Sequence, residues 1–404
     1  MKKNIIFSTV IPLWSMNNGS GGRALYSTIE AYVNNGYNVY FVTDQENNYE
    51  DSNINLKKEN IFYIDMKWKG KLLKYKIMNI WGMRKIVNWL YCFRYNFKSY
   101  KAMKKILEQC NEALIYAYEV NAVKSCKIIS KKYQMPLVTR FQGTIMSKFK
   151  NNFYTKITRY PHIQALSTKA DLVIMTDDGT QGDRILKEYG NDSKTLFIKN
   201  GVNILSRELP KINREEFKKA INVPLERTIL LTVSRLVDWK KIDRSIKALS
   251  KIKDKEKYFL LIVGEGDERK NLENLIKELN LNSCVRLEGA IRNEDVYKYM
   301  EIADIFLSFY DLSNVGNPLL EALSLGKPII TYNVGDTNKV INGKNGVLLD
   351  DISPENIAKT IEYMNNEQNL KAYSDGAKEY TKNNLYSWEK RMEMEIEEVE
   401  KLID

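Results

Sequence analysis

The sequence is poor in histidine and cysteine, and this scarcity excludes several classes of enzyme. Its 404 residues include one histidine, His162, and four cysteines without CxxC spacing, at Cys92, Cys110, Cys126 and Cys284. Because His162 lies outside any motif, a Ser-His-Asp hydrolase and a histidine-ligated metal site are excluded. A chain of this size needs no disulfides, so the scattered cysteines indicate a reducing compartment, and we expect a cytoplasmic protein.

Long hydrophobic runs are also missing. No stretch of 18 or more apolar residues is present, so a membrane-spanning helix is not expected. The start of the chain, Met1-Lys2-Lys3 followed by an apolar run, mimics a signal peptide. That run is interrupted by Ser8, Pro12 and Asn17, and no small-residue cleavage site follows. We therefore interpret it as a first buried strand of a non-secreted protein.

Acidic residues are absent from one long segment of a chain whose net charge is +11. Between Asp65 and Glu108 there are 12 lysines and arginines, interleaved with tryptophan, tyrosine and phenylalanine. We predict that this basic insertion, about 66–107, makes peripheral contact with an anionic membrane, at the inner face of the plasma membrane. A helical insertion whose aromatic side chains pack inward is the alternative. A nucleic-acid partner is not expected.

What the sequence does contain is the composition and periodicity of a folded α/β protein. Its 44% hydrophobic and 28% charged residues are typical of folded chains, and its length suits two domains of roughly 200 residues each. In the first half a helix is predicted over 24–33, and strands over 4–11, 37–43, 113–116, 137–140, 172–175 and 195–198. Helices between these strands complete an alternation of strand and helix, which predicts a parallel sheet covered by helices on both faces.

The second half repeats this pattern after a polar stretch, 204–223, which we interpret as an inter-domain linker. Its predicted strands are 227–233, 259–263, 285–287, 305–309 and 328–331, with helices over 244–253, 269–279, 294–303 and 319–325. We expect domains over 1–205 and 206–380, and a C-terminal helix within 381–404 that can bridge back to the first domain. The fold class is α/β, with two doubly wound, Rossmann-like domains facing a central cleft where ligands bind at the carboxyl ends of strands.

The segment from Ser308 to Ala322 has the clearest features of a ligand site. A buried strand ends, a polar loop with a glycine follows, and Pro318 stands where a helix would begin. Glu321 lies one turn into that helix, where its carboxylate can accept hydrogen bonds from a ribose diol. The helix-start N–H groups that we expect to be free for a diphosphate are those of Gly316, Asn317 and Leu319. Alternatively, the Asn-Pro pair only caps a helix and Glu321 is surface charge.

Two further loops follow strands of the same half. Arg235 and Lys240 leave the first strand of this half together, and two fixed cations can neutralise the charge of a departing diphosphate without a metal. Gly264 and Gly266 follow the next strand, where they permit close approach of a flat nucleobase or simply a tight turn.

Together these segments resemble the retaining GT-B glycosyltransferases of family 4, the glycosyl transferase group 1 class, over essentially the whole chain. The family's Arg-Leu-x-x-x-Lys-Gly loop corresponds to residues 235–241, and its Glu-x7-Glu motif to residues 313–321. Further segments that match family motifs are 21–22, 170–174, 200–203, 326–330 and 345–348.

The resemblance implies a hexosyltransferase that needs no metal and no cofactor besides a nucleoside diphosphate sugar, with UDP favoured by default. Transfer would go with retention to a saccharide or lipid-linked saccharide, in bacterial surface polysaccharide synthesis. The residues that it implies at the donor diphosphate and sugar are Arg235, Lys240, Ser313, Asn314, Gly316, Asn317 and Leu319. Glu321 would bind the ribose, Gly264 and Gly266 would border the base, and Gly21 and Gly22 would lie on the acceptor side.

Two positions depart from the family pattern. The first motif glutamate falls on Ser313, beside Asn314, and the family's first-domain histidine falls on Gln142, which the resemblance therefore places among the catalytic residues. These departures keep a non-catalytic sugar-nucleotide-binding subunit open as an alternative. A Rossmann dehydrogenase would need a GxGxxG motif after the first strand, and residues 19–24 lack its third glycine.

Overall fold

The structure, a computed structural model, describes residues 3–11, 23–44, 56–66, 83–206 and 208–403. The chain divides into two compact units. The first comprises Met1–Asp177, Gln181–Lys199 and Glu389–Asp404, and the second comprises Asp178–Thr180 and Asn200–Trp388. The main division along the chain thus follows Lys199, a few residues before the domain boundary expected from the sequence.

The first unit is built on a parallel sheet. Its strands are β1 (Asn4–Ser8), β2 (Asn38–Thr43), β3 (Ile61–Tyr63), β4 (Leu114–Tyr118), β5 (Leu137–Phe141), β6 (Leu172–Thr176) and β7 (Thr195–Ile198). They lie in the order β3-β2-β1-β4-β5-β6-β7. The first strand was predicted to run to Ile11 but ends at Ser8, because the Thr9 hydroxyl accepts the N–H of Ile11 at 3.1 Å and forms a turn there.

Helices cover this sheet. They are α1 (Arg23–Asn34), α2 (Met83–Cys110), α3 (Val123–Tyr133), α4 (Phe153–Thr158), α5 (Tyr160–Leu166) and α6 (Gly182–Glu188). The long helix α2 lies on the sheet through a buried hydroxyl cluster. Ser8 Oγ is 2.9 Å from the Tyr95 hydroxyl and 2.8 Å from Ser99 Oγ. No helix among the described residues is long and apolar enough to cross a bilayer.

The second unit has its own parallel sheet. Its strands are β8 (Thr228–Val233), β9 (Tyr258–Val263), β10 (Val285–Gly289), β11 (Ile305–Ser308), β12 (Ile329–Tyr332) and β13 (Gly346–Leu349), in the order β10-β9-β8-β11-β12-β13. The edge strand β13 had no strand prediction, since its short sequence was interpreted only as a family motif. Both sheets are parallel and helix-covered, which confirms the predicted fold class of two Rossmann-like units.

The helices of this unit are α7 (Arg214–Ala220), α8 (Asp243–Lys251), α9 (Arg269–Glu278), α10 (Val296–Ile302), α11 (Asn317–Ser324), α12 (Pro354–Met364) and α13 (Glu367–Asn384). The stretch 204–223, which we interpreted as an inter-domain linker, lies within the second unit and contains α7. Asn213 caps that helix by accepting the N–H of Glu215 at 3.1 Å, and Phe217 packs edge-on against Tyr299. The polar composition of α7 reflects its exposed face and not a lack of structure.

The C-terminal helix α14 (Trp388–Glu400) contributes a fully buried ionic cluster to the first unit. Glu395 Oε2 accepts from Arg140 at 3.2 Å and from Arg391, and its other oxygen accepts from the Tyr116 hydroxyl at 2.7 Å. Burial alone would raise the pKa of the Glu395 carboxyl, but the charges of Arg391 and Arg140 hold it below its ordinary value. The carboxylate is therefore ionised and compensated inside the core.

Candidate functional site

The loop that follows β8 is held by the loop that follows β9. Ser234 N–H donates to the carbonyl of Val263 at 3.0 Å, and Leu236 N–H donates to that of Glu265 at 2.9 Å. Between these two anchors Arg235 has an exposed side chain that makes no ion pair with the described residues. The backbone is thus fixed on both sides of a guanidinium that remains available for an anion.

Gly264 and Gly266 make this close approach of the two loops possible. A Cβ built on Gly264 would overlap the carbonyl oxygen of Ser234, and one on Gly266 would overlap that of Leu236. Gly264 also has φ +142, a conformation that side-chain-bearing residues rarely adopt. In this unit the two glycines therefore position the Arg235 loop, which favours the tight-turn interpretation over contact with a nucleobase.

Lys240 is a cation in an unusual environment. It ends a short 3-10 turn, Asp238–Lys240, and its ammonium lies 3.6 Å from the centroid of the Tyr310 ring and 4.2 Å from that of Trp239. It makes no ion pair within the described part of the chain. Burial, together with the positive charge of Arg235, lowers the pKa of Lys240 to about 7, although the charge of Asp178 partly opposes this.

The loop that follows β11 holds in place the aromatic residues that surround Lys240. Asp311 N–H donates to the Trp239 carbonyl at 3.1 Å, and the Asp311 carboxylate pairs with Arg244 at 2.8 Å. The Tyr310 hydroxyl donates to the Val233 carbonyl at 3.2 Å. The rings that surround Lys240 were missed by the sequence analysis, although an aromatic residue placed directly after a buried strand was a usable signal.

The start of α11 differs from the expectation in its hydrogen bonding. Gly316 N–H donates to the Asn314 carbonyl at 2.8 Å, and Leu319 N–H donates to the Gly316 carbonyl at 3.0 Å. Two of the three N–H groups expected to be free are therefore engaged, because Gly316 forms a tight turn and caps the helix. Asn317 N–H has no acceptor among the described residues. Its position at the first turn of α11 agrees with an anion-binding role, and Pro318 follows it.

Ser313 and Asn314 are held by the protein itself. Asn314 is fully buried, and its side chain accepts from Tyr310 N–H at 2.9 Å and donates to the Tyr332 carbonyl at 3.0 Å. The Ser313 hydroxyl donates to the Asp178 carbonyl. A Cβ on Gly179 would overlap Ser313 Oγ, so the hydroxyl lies directly against Gly179, and a glutamate pointing the same way would collide with that residue.

Glu321 is buried on α11 and accepts a hydrogen bond from Asn203 Nδ2 at 2.9 Å. Surface charge is therefore the wrong interpretation of this carboxylate. Asn203 belongs to the turn at 200–203, whose role the sequence did not reveal. The pair keeps one carboxylate oxygen oriented, which is the arrangement that a group recognising a diol requires.

In the first unit, Gln142 follows β5 and is oriented by two contacts. Its backbone N–H donates to the Glu119 carboxylate at 2.8 Å, and its side-chain amide donates to the Tyr118 hydroxyl at 2.9 Å. Gly21 and Gly22, the expected acceptor-side residues, lie outside the described residues. Among the described residues, no group of three or more His, Cys, Asp and Glu side chains is placed to hold a metal ion.

His162 lies in the first unit, on α5. Burial and the nearby charge of Arg159 lower its pKa to about 4, so it is neutral at neutral pH. It lines a cavity of about 260 Å³ together with Trp89 and Arg159. This setting agrees with its position outside any sequence motif.

Comparison with known proteins places this architecture in a class. The fold is that of the GT-B glycosyltransferases. Sucrose-phosphate synthase from Thermosynechococcus elongatus superimposes with a TM-score of 0.76 at 18% identity, covering 100% of this chain and 99% of that one. Anabaena HepE in complex with UDP-glucose superimposes with a TM-score of 0.70 at 17% identity, covering 98% and 99%.

The sequence also matches a family model. Residues 213–383 match the model of the family described as glycosyl transferases group 1, which supports a GT-B glycosyltransferase. An uncharacterized glycosyltransferase of Methanocaldococcus jannaschii is 31% identical over 269 residues, which are 64% of this chain and 65% of that protein.

A second relative comes from Campylobacter jejuni. It is an N-acetylgalactosaminyltransferase that acts on N-acetylgalactosamine-N,N'-diacetylbacillosaminyl-diphospho-undecaprenol, and it is 29% identical over 45% of this chain and 46% of its own length. This chain spans less than two thirds of either relative.

Proposed function

We propose that this protein transfers a hexose from a nucleoside diphosphate sugar to a hydroxyl group of a saccharide or a lipid-linked saccharide. The observation that carries the proposal is the state of Lys240. It is a desolvated ammonium beside Arg235, with aromatic faces around it and no paired carboxylate among the described residues. Two adjacent cations without counter-charges repel each other, and a bound anion with two charges would compensate both of them.

The chemistry that these residues support is departure of a nucleoside diphosphate. The bond between the anomeric carbon and the diphosphate oxygen breaks, and the acceptor oxygen forms a bond to the same carbon. Arg235 and Lys240 would stabilise the negative charge on the leaving group, and Asn317 N–H at the first turn of α11 would add a hydrogen bond. In this proposal the cations take the part that a metal ion has in other enzymes, and the acceptor proton passes to the departing phosphate.

Retention of the anomeric configuration is part of the proposal. A retaining glycosidase would need two carboxylates flanking the sugar, one as nucleophile and one as acid. In the described loops after β8, β9 and β11, the carboxylates of Asp238, Glu265 and Asp311 are each paired with a lysine or an arginine. Glu321 is engaged by Asn203. Attack on the same face, next to the leaving diphosphate, is the route that such a site favours.

The donor and acceptor classes draw support from relatives. A protein of the same fold was solved with UDP-glucose, and a relative acts on a diphospho-undecaprenol-linked saccharide. We therefore favour a UDP-linked hexose as donor and surface polysaccharide synthesis as the process. The scattered cysteines remain the support for a cytoplasmic location.

A thermal-shift screen against UDP-, GDP- and ADP-sugars tests the donor. A ligand at 100 times its Kd should stabilise the protein by roughly 2.7 kcal/mol. The positive ligand then enters an assay for nucleoside diphosphate release with candidate acceptors. A complete lack of stabilisation by all three classes of nucleotide sugar would remove the proposal.

A non-catalytic sugar-nucleotide-binding subunit is the second candidate. The observation that favours it is the replacement of the first motif glutamate by Ser313, whose hydroxyl is bonded to the Asp178 carbonyl and lies against Gly179. This candidate predicts nucleotide binding without release of nucleoside diphosphate, whichever acceptor is supplied. Turnover that falls with Arg235 and Lys240 substitutions would eliminate it.

A further inference from the structure

We propose that one outward surface of the first unit docks onto an anionic lipid bilayer. The surface consists of the exposed side of α2 over residues 86–105 and the adjoining residues 153–160, and is called the bilayer face below. The proposal goes beyond the transferase assignment, because lipid binding by this surface needs no catalytic activity.

Helix α2 has two apolar sides. The inward side packs in the core through buried residues such as Val87, Tyr91 and Tyr95. The outward side shows Ile86, Trp89, Leu90, Phe93 and Phe97, which are between 45% and 67% exposed. Their spacing of three, one, three and four residues places them on a single stripe of the helix. A soluble helix needs one apolar stripe, so the second requires a separate explanation.

Residues 153–160 extend this stripe into a broader patch. Phe153 is 79% exposed, and Tyr154, Ile157 and Tyr160 are each about half exposed. The Tyr160 ring lies 5.5 Å from the Trp89 ring, which joins the two segments. Of the 16 large hydrophobic side chains exposed among the described residues, nine lie on this face, so the patch is a local feature and not ordinary scatter.

The charge around the patch is mainly positive. Helix α2 contains one acidic residue, Glu108, and no aspartate or glutamate occurs from Val120 to Ala170. Towards the end of α2 the outward side becomes basic, with exposed Lys101 and with Lys104, which pairs with Glu108 at 3.6 Å. Apolar and aromatic side chains bordered by lysines match the interface of an anionic leaflet, where rings insert among headgroups and cations contact them.

A cavity beside the patch supplies a cation for a headgroup phosphate. It has a volume of about 260 Å³ and is lined by Trp89, Thr158 and Arg159, among others. Arg159 makes no ion pair, and its buried Nε has no hydrogen-bond partner in the described part of the chain. Its guanidinium rests 4.3 Å from the Phe149 ring centroid. The cavity thus offers an uncompensated positive group where a lipid phosphate would lie.

Other occupants fit this face less well. A second copy docked about a two-fold axis would bring lysines against lysines, which is unfavourable. Nucleic acid would use cations and stacking rings but would leave the exposed aliphatic side chains Ile86, Leu90 and Ile157 without a partner. A bilayer accommodates aliphatic, aromatic and basic groups together.

Vesicle flotation of the full chain tests the proposal. We expect binding to phosphatidylcholine–phosphatidylglycerol vesicles at low salt, weaker binding at high salt because ions screen the lysines, and little binding to phosphatidylcholine alone. The double variant Phe93→Ser/Phe97→Ser should reduce partition by about tenfold for each phenylalanine. The control Ile128→Ser/Tyr363→Ser alters two exposed hydrophobic residues outside the face and should bind like the parent.

Three results would overturn the proposal: no partition onto anionic vesicles at low salt, equal partition of both double variants, or a concentration-dependent dimer that only the phenylalanine variant loses. Binding to DNA or RNA without lipid binding would also overturn it. Thermal unfolding shows whether each variant is folded, and a shift with nucleotide sugar shows that its second unit is intact. Loss of lipid binding with nucleotide binding retained separates this proposal from the proposed function.

Discussion

The ammonium of Lys240 lies 3.6 Å from the centroid of the Tyr310 ring, at the edge of a buried loop in the second unit. A ring face attracts a cation but does not neutralise it, and burial disfavours the charged form. The pKa of Lys240 is therefore lowered to about 7, and a bound anion would stabilise its charged form. The packing of the loops that follow β8, β9 and β11 thus sets the charge state of a residue proposed to bind an anion.

Replacing either cation of this site should slow transfer. Arg235→Ala or Lys240→Ala should each lower kcat by on the order of 10²-fold, because one preorganised group at a developing charge contributes about 2.7–4 kcal/mol. Steady-state release of nucleoside diphosphate measures this. Lys247→Ala, which removes an exposed lysine paired with Asp243, is the matched control. Near parental rates in both site variants would show that the phosphate site lies elsewhere.

Binding of the nucleotide sugar should depend on pH through Lys240. Its pKa is about 7 in the free protein, and a bound diphosphate raises it, so binding takes up a proton above pH 7. The Kd should therefore increase by about tenfold per pH unit above the free pKa until the raised pKa of the complex is reached.

Calorimetry in buffers of different ionisation enthalpy measures this proton uptake. In Lys240→Arg the guanidinium stays charged, so the pH dependence should largely disappear while binding persists. An unchanged pH profile in that variant would assign the titration to another group.

The glycines behind the Arg235 loop should be intolerant of a methyl group. Gly264→Ala would force a side chain into the Ser234 carbonyl at φ +142, so we expect a loss of about 1–3 kcal/mol of unfolding free energy and weaker nucleotide binding. Urea unfolding gives the first quantity and thermal shift the second. Gly343→Ala is the control, since nothing lies within 4 Å of its Cβ position. Equal stability of the two variants would contradict the packing described here.

The buried cluster of the first unit should be sensitive to loss of its carboxylate. Glu395→Gln leaves Arg140 and Arg391 buried without a counter-charge, and breaking such a pair typically removes about 3–5 kcal/mol of stability. Glu400→Gln, which alters an exposed carboxylate paired with Lys3, should change stability by no more than about 0.5 kcal/mol. Denaturant unfolding of the two variants compares them. A small effect at Glu395 would mean that water reaches the cluster.

Restoring the family glutamate should not restore a family-like site. Ser313→Glu places a longer acidic side chain against Gly179 and the Asp178 carbonyl, so we expect lower stability and no gain in turnover. Ser313→Ala removes only the hydroxyl and should lower stability by about 1 kcal/mol. A rise in turnover for Ser313→Glu would show that this segment rearranges to admit the carboxylate.

The sequence by itself determined the fold class, the positions of most strands along the chain and the resemblance to a glycosyltransferase family. These follow from local patterns: apolar strands of five or six residues, glycine turns behind them, and loops whose spacing resembles that of family motifs. Position along a parallel sheet also places strand ends together, so residues 235–240, 264–266 and 313–321 were correctly predicted to follow strands of one half. The short edge strand β13 and the helix α7 were not predicted, because polar or brief segments show weak hydrophobic periodicity.

Tertiary structure decided how those residues are used. The sequence could not show that Gly264 and Gly266 leave space for the carbonyl groups of Ser234 and Leu236. Nor could it show that the buried side chain of Asn314 bonds to the backbone on both sides. The hydrogen bonds that Gly316 and Leu319 N–H donate within the turn were equally hidden. Each of these depends on contacts between segments far apart in the chain. The desolvation of Lys240 is of the same kind, since a side chain's hydration and its pKa depend on all the groups that surround it and not on its neighbours in sequence.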